Sequence, residues 1–173
     1  MISARRSRSR HRVPARSRRA VPALPLALSA AVLFAVSACT ADRPEVAVPR
    51  PDAEESAVCE ALDGALPETV GGQDRSDPEP ASALTAGWGD AAIVLRCGVP
   101  RPEGMSDPAA QGIEAEGVGW LLEETDGGTR FTTTFRTAYV EVSMDERYAH
   151  DSTPLAQLAD AVKEAVPAVL DVP

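Results

Sequence analysis

The chain has 173 residues, of which 44% are hydrophobic, and its formal net charge is −9. Its basic residues are unevenly placed, because residues 1–19 hold eight arginines and no acidic residue. Residues 39–173 therefore hold nine of the 17 basic residues and all 26 acidic ones, which gives them a formal charge of −17. Nonspecific nucleic-acid binding needs clustered lysine and arginine, so we expect no nucleic-acid partner.

Residues 1–38 are predicted to be a lipoprotein signal peptide. A basic region precedes an apolar run at 26–38, and its 13 residues suit a signal-peptide core. A membrane-spanning helix needs about 20 apolar residues. The run ends in Val36-Ser37-Ala38-Cys39, which resembles the bacterial lipobox and implies cleavage before Cys39 and lipid on its thiol. We therefore expect a lipid-anchored protein on the extracytoplasmic side of the cell membrane. The alternative is an uncleaved N-terminal anchor helix.

The export route has two alternatives. One stretch of the leader, Ser17-Arg18-Arg19-Ala20-Val21, looks like a twin-arginine export signal. An equally good interpretation is that it is one arginine pair among many in an arginine-rich leader. A twin-arginine signal would mean that the domain folds before export. The general secretory route would mean that it folds outside.

The remaining cysteines are Cys59 and Cys97. Two cysteines remain after Cys39 is assigned to lipid, and outside the cytoplasm such an even number indicates a disulfide. Two separate buried thiols are the alternative. Two cysteines without a nearby histidine cannot supply the four ligands of a structural zinc site. No metal and no cofactor are therefore predicted.

The first half of the exported part is predicted to contain one helix and one strand. Residues 39–53 hold three prolines and are predicted to be an extended tether. Residues 54–66 have apolar residues at helical spacing, and 91–99 alternate as a strand that places Arg96 opposite the core face. The Gly-, Pro- and Ser-rich stretches 68–87 and 100–115 are predicted to be loops.

The second half is predicted to contain three strands and a helix. Residues 117–124 and 129–135 flank Asp126-Gly127-Gly128, a hairpin turn signal, and 138–144 form a further strand whose outward residues include Tyr139 and Glu141. Thr153-Pro154 is typical of a helix start. An apolar stripe follows it, and Pro167 should end or kink the helix.

These elements predict a single α+β domain over residues 54–173. It should have a small antiparallel sheet of about four strands, with an N-terminal and a C-terminal helix packed on one face. One disulfide should brace this core, which has few aromatic residues.

The stretch from Trp88 to Pro102, WGDAAIVLRCGVPRP, is the most distinctive part of the chain. With Cys59-Glu60-Ala61-Leu62 upstream and Tyr139-Val140-Glu141-Val142 downstream, it resembles the domain of unknown function 3515 family. The resemblance implies a small envelope lipoprotein of the kind found in high-GC Gram-positive bacteria. It brings no activity, since none is assigned to that family.

Five residues on and around this stretch are candidates for a ligand or partner site: Trp88, Asp90, Arg96, Arg101 and Arg136. Grouped together, they could bind an anionic ligand through the arginine forks. The alternative is a structural Asp–Arg pair with the tryptophan as a lid over the core.

No catalytic residue is predicted. The exported part has one histidine, His150, in a polar turn, and neighbouring carboxylates on a strand point apart. We therefore expect a non-catalytic binding or accessory module of the cell envelope, which meets an envelope protein or a small ligand and is held to the membrane by lipid on Cys39. The alternatives are a hydrolase-like enzyme with an unrecognised carboxylate site, and a subunit that is stable only beside a membrane partner. An apolar pocket would favour a ligand, and a large apolar patch would favour a protein partner.

Overall fold

Two helices lie on one face of a six-stranded antiparallel sheet. The computed structural model describes residues 43–148 and 150–169, so the predicted signal peptide and Cys39 lie outside the described residues. In chain order the helices and strands are α1 (Ala53–Ala65), β1 (Thr69–Val70), β2 (Gln73–Asp74), β3 (Thr85–Trp88), β4 (Ile93–Cys97), β5 (Gln111–Ala115), β6 (Val118–Thr125), β7 (Gly128–Thr133), β8 (Val140–Asp145) and α2 (Thr153–Ala165). Short 3-10 turns occur at Glu103–Ser106 and Glu146–Tyr148.

Both helices lie close to their predicted positions. The α1 helix begins after Asp52, whose side chain accepts hydrogen bonds from the amides of Glu54 and Glu55, both at 2.9 Å. The α2 helix has Pro154 in its first turn, and it ends before Pro167, as expected. Its apolar stripe is buried against the sheet, including Leu155, Leu158, Ala159 and Val162.

The strands of the large sheet follow the order β3-β4-β8-β7-β6-β5. The α+β class is confirmed, but the prediction of about four strands was wrong. The predicted loops 68–87 and 100–115 contain most of β3 and all of β5, and the first also contains β1 and β2, which form a separate two-stranded sheet. All four residues of β3 are buried, and β5 is an edge strand in which only Ala115 is buried, so neither shows the alternation of a half-buried strand.

The disulfide between Cys59 and Cys97 is present and joins α1 to β4. Its two cysteines are 0% and 1% exposed and lie within the main core. That core fills the space between the helices and the inner face of the sheet, which includes Ile93, Val142 and Trp120. The opposite face, which carries Arg96, is called the outer face below.

Residues 43–52 pack along the outer face near β3 and β4, although they belong to the range 39–53 that was predicted to be a tether. The amide of Val46 donates to the carbonyl of Glu79 at 2.8 Å, and the amide of Glu79 donates to the carbonyl of Pro44 at 3.0 Å. Arg96 Nε donates to the carbonyl of Ala47 at 3.1 Å. This N-terminal segment is therefore part of the folded domain. Within the described residues, neither helix has the length and apolar character needed to cross a membrane.

Replacing both cysteines, Cys59→Ala with Cys97→Ala, should lower the free energy of unfolding by about 4 kcal/mol in the chain-entropy model. The bond closes a loop with a sequence separation of 38, so its loss frees a long segment of the unfolded chain. Urea denaturation followed by tryptophan fluorescence would measure the change. A loss below about 1 kcal/mol would show that the brace contributes little.

Candidate functional site

The five predicted candidate residues do not form one cluster. Trp88 is 0% exposed on the inner face, where its indole Nε1 donates to the carbonyl of Pro67 at 3.1 Å. Asp90 lies in the turn between β3 and β4, with a φ of 54°. Arg96 lies on the outer face, so the sheet separates its side chain from Trp88. The predicted grouping of Trp88 with Arg96 is therefore not formed.

Arg96 takes part in a structural ion pair. Its Nη1 donates to Glu141 Oε1 at 3.1 Å, and Arg130 Nε lies 3.6 Å from Glu141 Oε2. Glu141 was predicted to face outward, and it does point to the outer face, but it is only 8% exposed. This arrangement links β4, β7 and β8, and it ties the N-terminal segment to the sheet through Ala47.

Arg101 and Arg136 lie elsewhere: Arg101 contacts the 3-10 turn Glu103–Ser106, and Arg136 follows the end of β7. Arg101 Nη1 donates to Ser106 Oγ at 2.8 Å, and its Nη2 donates to the carbonyl of Met105 at 3.0 Å. Arg136 Nη1 donates to the carbonyl of Val166 at 2.8 Å. Burial lowers the pKa of Arg136, because a guanidinium away from water loses hydration.

A pocket of about 490 Å³ opens beside Arg101. This volume lies within the range of about 300–1,000 Å³ that is typical of small-molecule sites. Most of the residues around it are apolar or small, and Arg101 is the one charged residue among them. The lining consists of Arg101, Met105, Ala110, Gln111, Gly112, Ile113, Gly119, Trp120, Leu121, Thr134, Phe135, Tyr139 and Val169.

Two glycines leave space for this pocket. Gly112 and Gly119 lie on neighbouring strands, β5 and β6, and both belong to the outer face. A Cβ atom on Gly119 would lie 2.6 Å from Thr134 Oγ1, and one on Gly112 would lie 3.3 Å from the carbonyl oxygen of Trp120. A larger residue at Gly119 would therefore collide with Thr134, and one at Gly112 would extend from the outer face of β5 into the pocket region.

Phe135 and Val169 are the exposed large hydrophobic residues of the described chain, at 60% and 55%, and both line the pocket. Phe135 was expected to continue the alternation of β7, but β7 ends at Thr133 and Phe135 has a φ of 54°. A non-glycine residue in this conformation costs about 1–2 kcal/mol. The amide of Val169 donates to the carbonyl of Phe135 at 2.9 Å, which holds the two residues together.

Trp120 carries a buried polar group on the inner face of β6, away from the outer-face positions of the pocket. Its side chain is 1% exposed, and its indole Nε1 has no hydrogen-bond partner among the described residues. A buried N–H group without a partner is uncommon in folded proteins. The sequence placed Trp120 on one face of a strand with Val118, and that face is the inner one, which packs in the core.

Comparison with known families supplies the identity of the chain. The model of a family described as a protein of unknown function (DUF3515) matches residues 20–170. The chain belongs to the DUF3515 family. This confirms the resemblance found in the sequence. No curated protein and no solved structure matches the chain.

A second concavity of this DUF3515 protein, of about 350 Å³, is lined by Glu124, Glu146 and His150 among others. Among the described residues no hydrogen bond joins His150 to either carboxylate, so this pocket adds no acid–base geometry to the hydrolase alternative. The described part of the chain also holds no group of three or more His, Cys, Asp or Glu residues that could bind a metal ion.

Replacing Glu141 with alanine should lower the free energy of unfolding by about 1–3 kcal/mol, because it leaves the Arg96 and Arg130 guanidinium groups without their shared carboxylate. Urea denaturation would measure the change. Glu124→Ala is the matched control, since Glu124 is exposed on β6, and its effect should stay within about 0.5 kcal/mol. Equal stability of the two variants would contradict the structural role of Glu141.

Proposed function

We propose that this protein is a lipid-anchored binding module of the cell envelope, and that the pocket beside Arg101 holds a small ligand with an apolar body. The observation that carries the proposal is the pocket of about 490 Å³ with Phe135 and Val169 exposed on its lining. Exposed apolar groups around a concavity are a recurrent feature of binding sites.

The lining supports binding of a small molecule. Its polar side chains are few and separate: Arg101, Gln111, Thr134 and Tyr139. A few polar groups among apolar ones orient a ligand in a typical small-molecule site. The lining holds no histidine, cysteine or carboxylate that could activate a hydroxyl, so it gives no argument for turnover.

The concave shape favours a small ligand over a protein partner. A stable protein interface needs roughly 800 Å² on each side, and it is usually a broad surface. The exposed large hydrophobic residues of the described chain are Phe135 and Val169, and both belong to the pocket lining. The position of both exposed residues on the pocket lining supports a small-ligand site and not a broad protein interface.

The membrane anchor is supported by the sequence and by the disulfide. A basic leader, an apolar run of 13 residues and Ser37-Ala38-Cys39 are together typical of bacterial lipoproteins. Cys59 and Cys97 form a buried disulfide, and such bonds persist in oxidising compartments outside the cytoplasm. The extracytoplasmic side of the membrane fits both features.

Lipidation can be tested with an alkyne-bearing fatty acid fed to cells that express the full chain. The wild type should incorporate the label, and Cys39→Ala should not, because it lacks the thiol that would carry lipid. The double variant Cys59→Ala, Cys97→Ala is the control and should still be labelled, since those cysteines are joined to each other. Labelling of Cys39→Ala at the wild-type level would contradict the proposed anchor.

Binding at the pocket can be tested on membranes that contain the full chain, with decanol carrying a photoreactive diazirine. Irradiation should label peptides that include pocket residues such as Leu121 and Phe135, and mass spectrometry would locate the label. Gly112→Leu should abolish this labelling, since its side chain would occupy the pocket from an exposed strand position.

Gly64→Leu is the matched control. Gly64 is an exposed residue of α1, and a Cβ atom placed there meets nothing within 4 Å. Labelling of the pocket peptides should therefore stay at the wild-type level. Absence of label at the pocket in the wild type, or equal labelling of Gly112→Leu and wild type, would overturn the proposed function.

A further inference from the structure

The charges near the pocket differ from those of the rest of the protein. Residues 39–173 have a formal charge of −17, yet no acidic residue lines the pocket. Six of their nine basic residues form ion pairs with described carboxylates: Arg43, Arg75, Arg96, Arg130, Arg147 and Lys163. The other three are Arg50, Arg101 and Arg136. Arg101 lines the pocket, and Arg136 directly follows Phe135, another lining residue.

We infer, on the basis of the proposed function, that the ligand is an amphipathic anion, with an apolar chain or ring in the pocket and a carboxylate or phosphate group on Arg101. The two parts of the ligand match the two parts of the lining. The apolar part would contact residues such as Met105, Leu121 and Phe135. The anionic group would meet the one charged side chain of the lining.

Arg101 is held in place and keeps free donors. Its hydrogen bonds to Ser106 Oγ and to the carbonyl of Met105, at 2.8 Å and 3.0 Å, fix the guanidinium against the 3-10 turn Glu103–Ser106. A guanidinium has five N–H donors, so these bonds leave three for a ligand. A planar fork with free donors suits the oxygens of a carboxylate or phosphate group.

The overall charge of the domain makes this local pattern informative. A domain with a formal charge of −17 repels anions over its surface in general. An anion therefore binds only where carboxylates are absent and a cation is fixed, and the pocket meets both conditions. A cationic amphiphile would be attracted to most of the surface, but it would meet repulsion from Arg101 inside the pocket.

The test is competition for photolabelling by diazirine-decanol on membranes containing the full chain. The competitors are decanoate, decyl phosphate, decanol and decyltrimethylammonium, each below its micelle concentration. We expect decanoate or decyl phosphate to protect the pocket peptides at the lowest concentration, and the ranking of these two identifies the anionic group. Decyltrimethylammonium should protect least.

Arg101→Gln should raise the concentration of the better anion needed for half protection about tenfold, as expected for the loss of one charge-assisted contact, and leave protection by decanol unchanged. Arg50→Gln is the matched control, because Arg50 is exposed, lies outside the pocket lining and changes the net charge equally. It should have no effect.

The possible failures are distinguishable. Suppose that diazirine-decanol labels the pocket. If all four competitors then protect equally, or if Arg101→Gln leaves the concentration of the anions needed for half protection unchanged, the amphipathic-anion inference is overturned and the proposed pocket stands. If Arg50→Gln weakens protection as much as Arg101→Gln, the effect is one of net charge, and the inference is again overturned. If the pocket is not labelled, the proposed function itself fails.

Discussion

The covalent bond between Cys59 and Cys97 joins α1 to β4 inside the main core, and it is the one covalent constraint between the helices and the sheet in the described residues. Only 4% of the residues are aromatic, so the core is built mainly from valine, leucine and alanine. Such a core buries little area per residue, and a brace between α1 and β4 offsets part of that deficit. Next to the bond, the absence of a side chain on Gly98 makes room for Pro51 just before α1 begins, because a Cβ atom there would lie 2.6 Å from the proline ring.

The sequence predicted the parts of the fold that carry a strong local pattern. The α2 helix has a long apolar stripe and a proline at each end, and the hairpin of β6 and β7 has Asp126-Gly127 at its turn. The strands that were missed lack such patterns. In β3 every residue is buried, so the sequence shows no alternation of apolar and polar residues there. The β5 strand is an edge strand that pairs with β6, and a local sequence pattern cannot show this pairing.

The candidate site was predicted only in part. Arg101 was singled out in the sequence and lies on the lining of the pocket, but it was grouped with Trp88 and Arg96, and strand pairing places those two on opposite faces of the sheet. The pocket depends on features that have no clear sequence signal. Gly112 contributes by lacking a side chain, and Phe135 contributes through a backbone conformation that phenylalanine rarely adopts. Membership of the family did not help, since its description assigns no activity.

The packing of residues 43–52 onto the domain shortens the connection to the membrane. If Cys39 carries lipid as proposed, four residue steps separate it from Arg43, a span of about 14 Å at full extension. Arg43 itself pairs with Glu79, and backbone hydrogen bonds join Val46 and Pro44 to the same residue. A lipid on Cys39 would therefore keep the folded domain close to the bilayer surface, because so few residues are left to act as a flexible spacer.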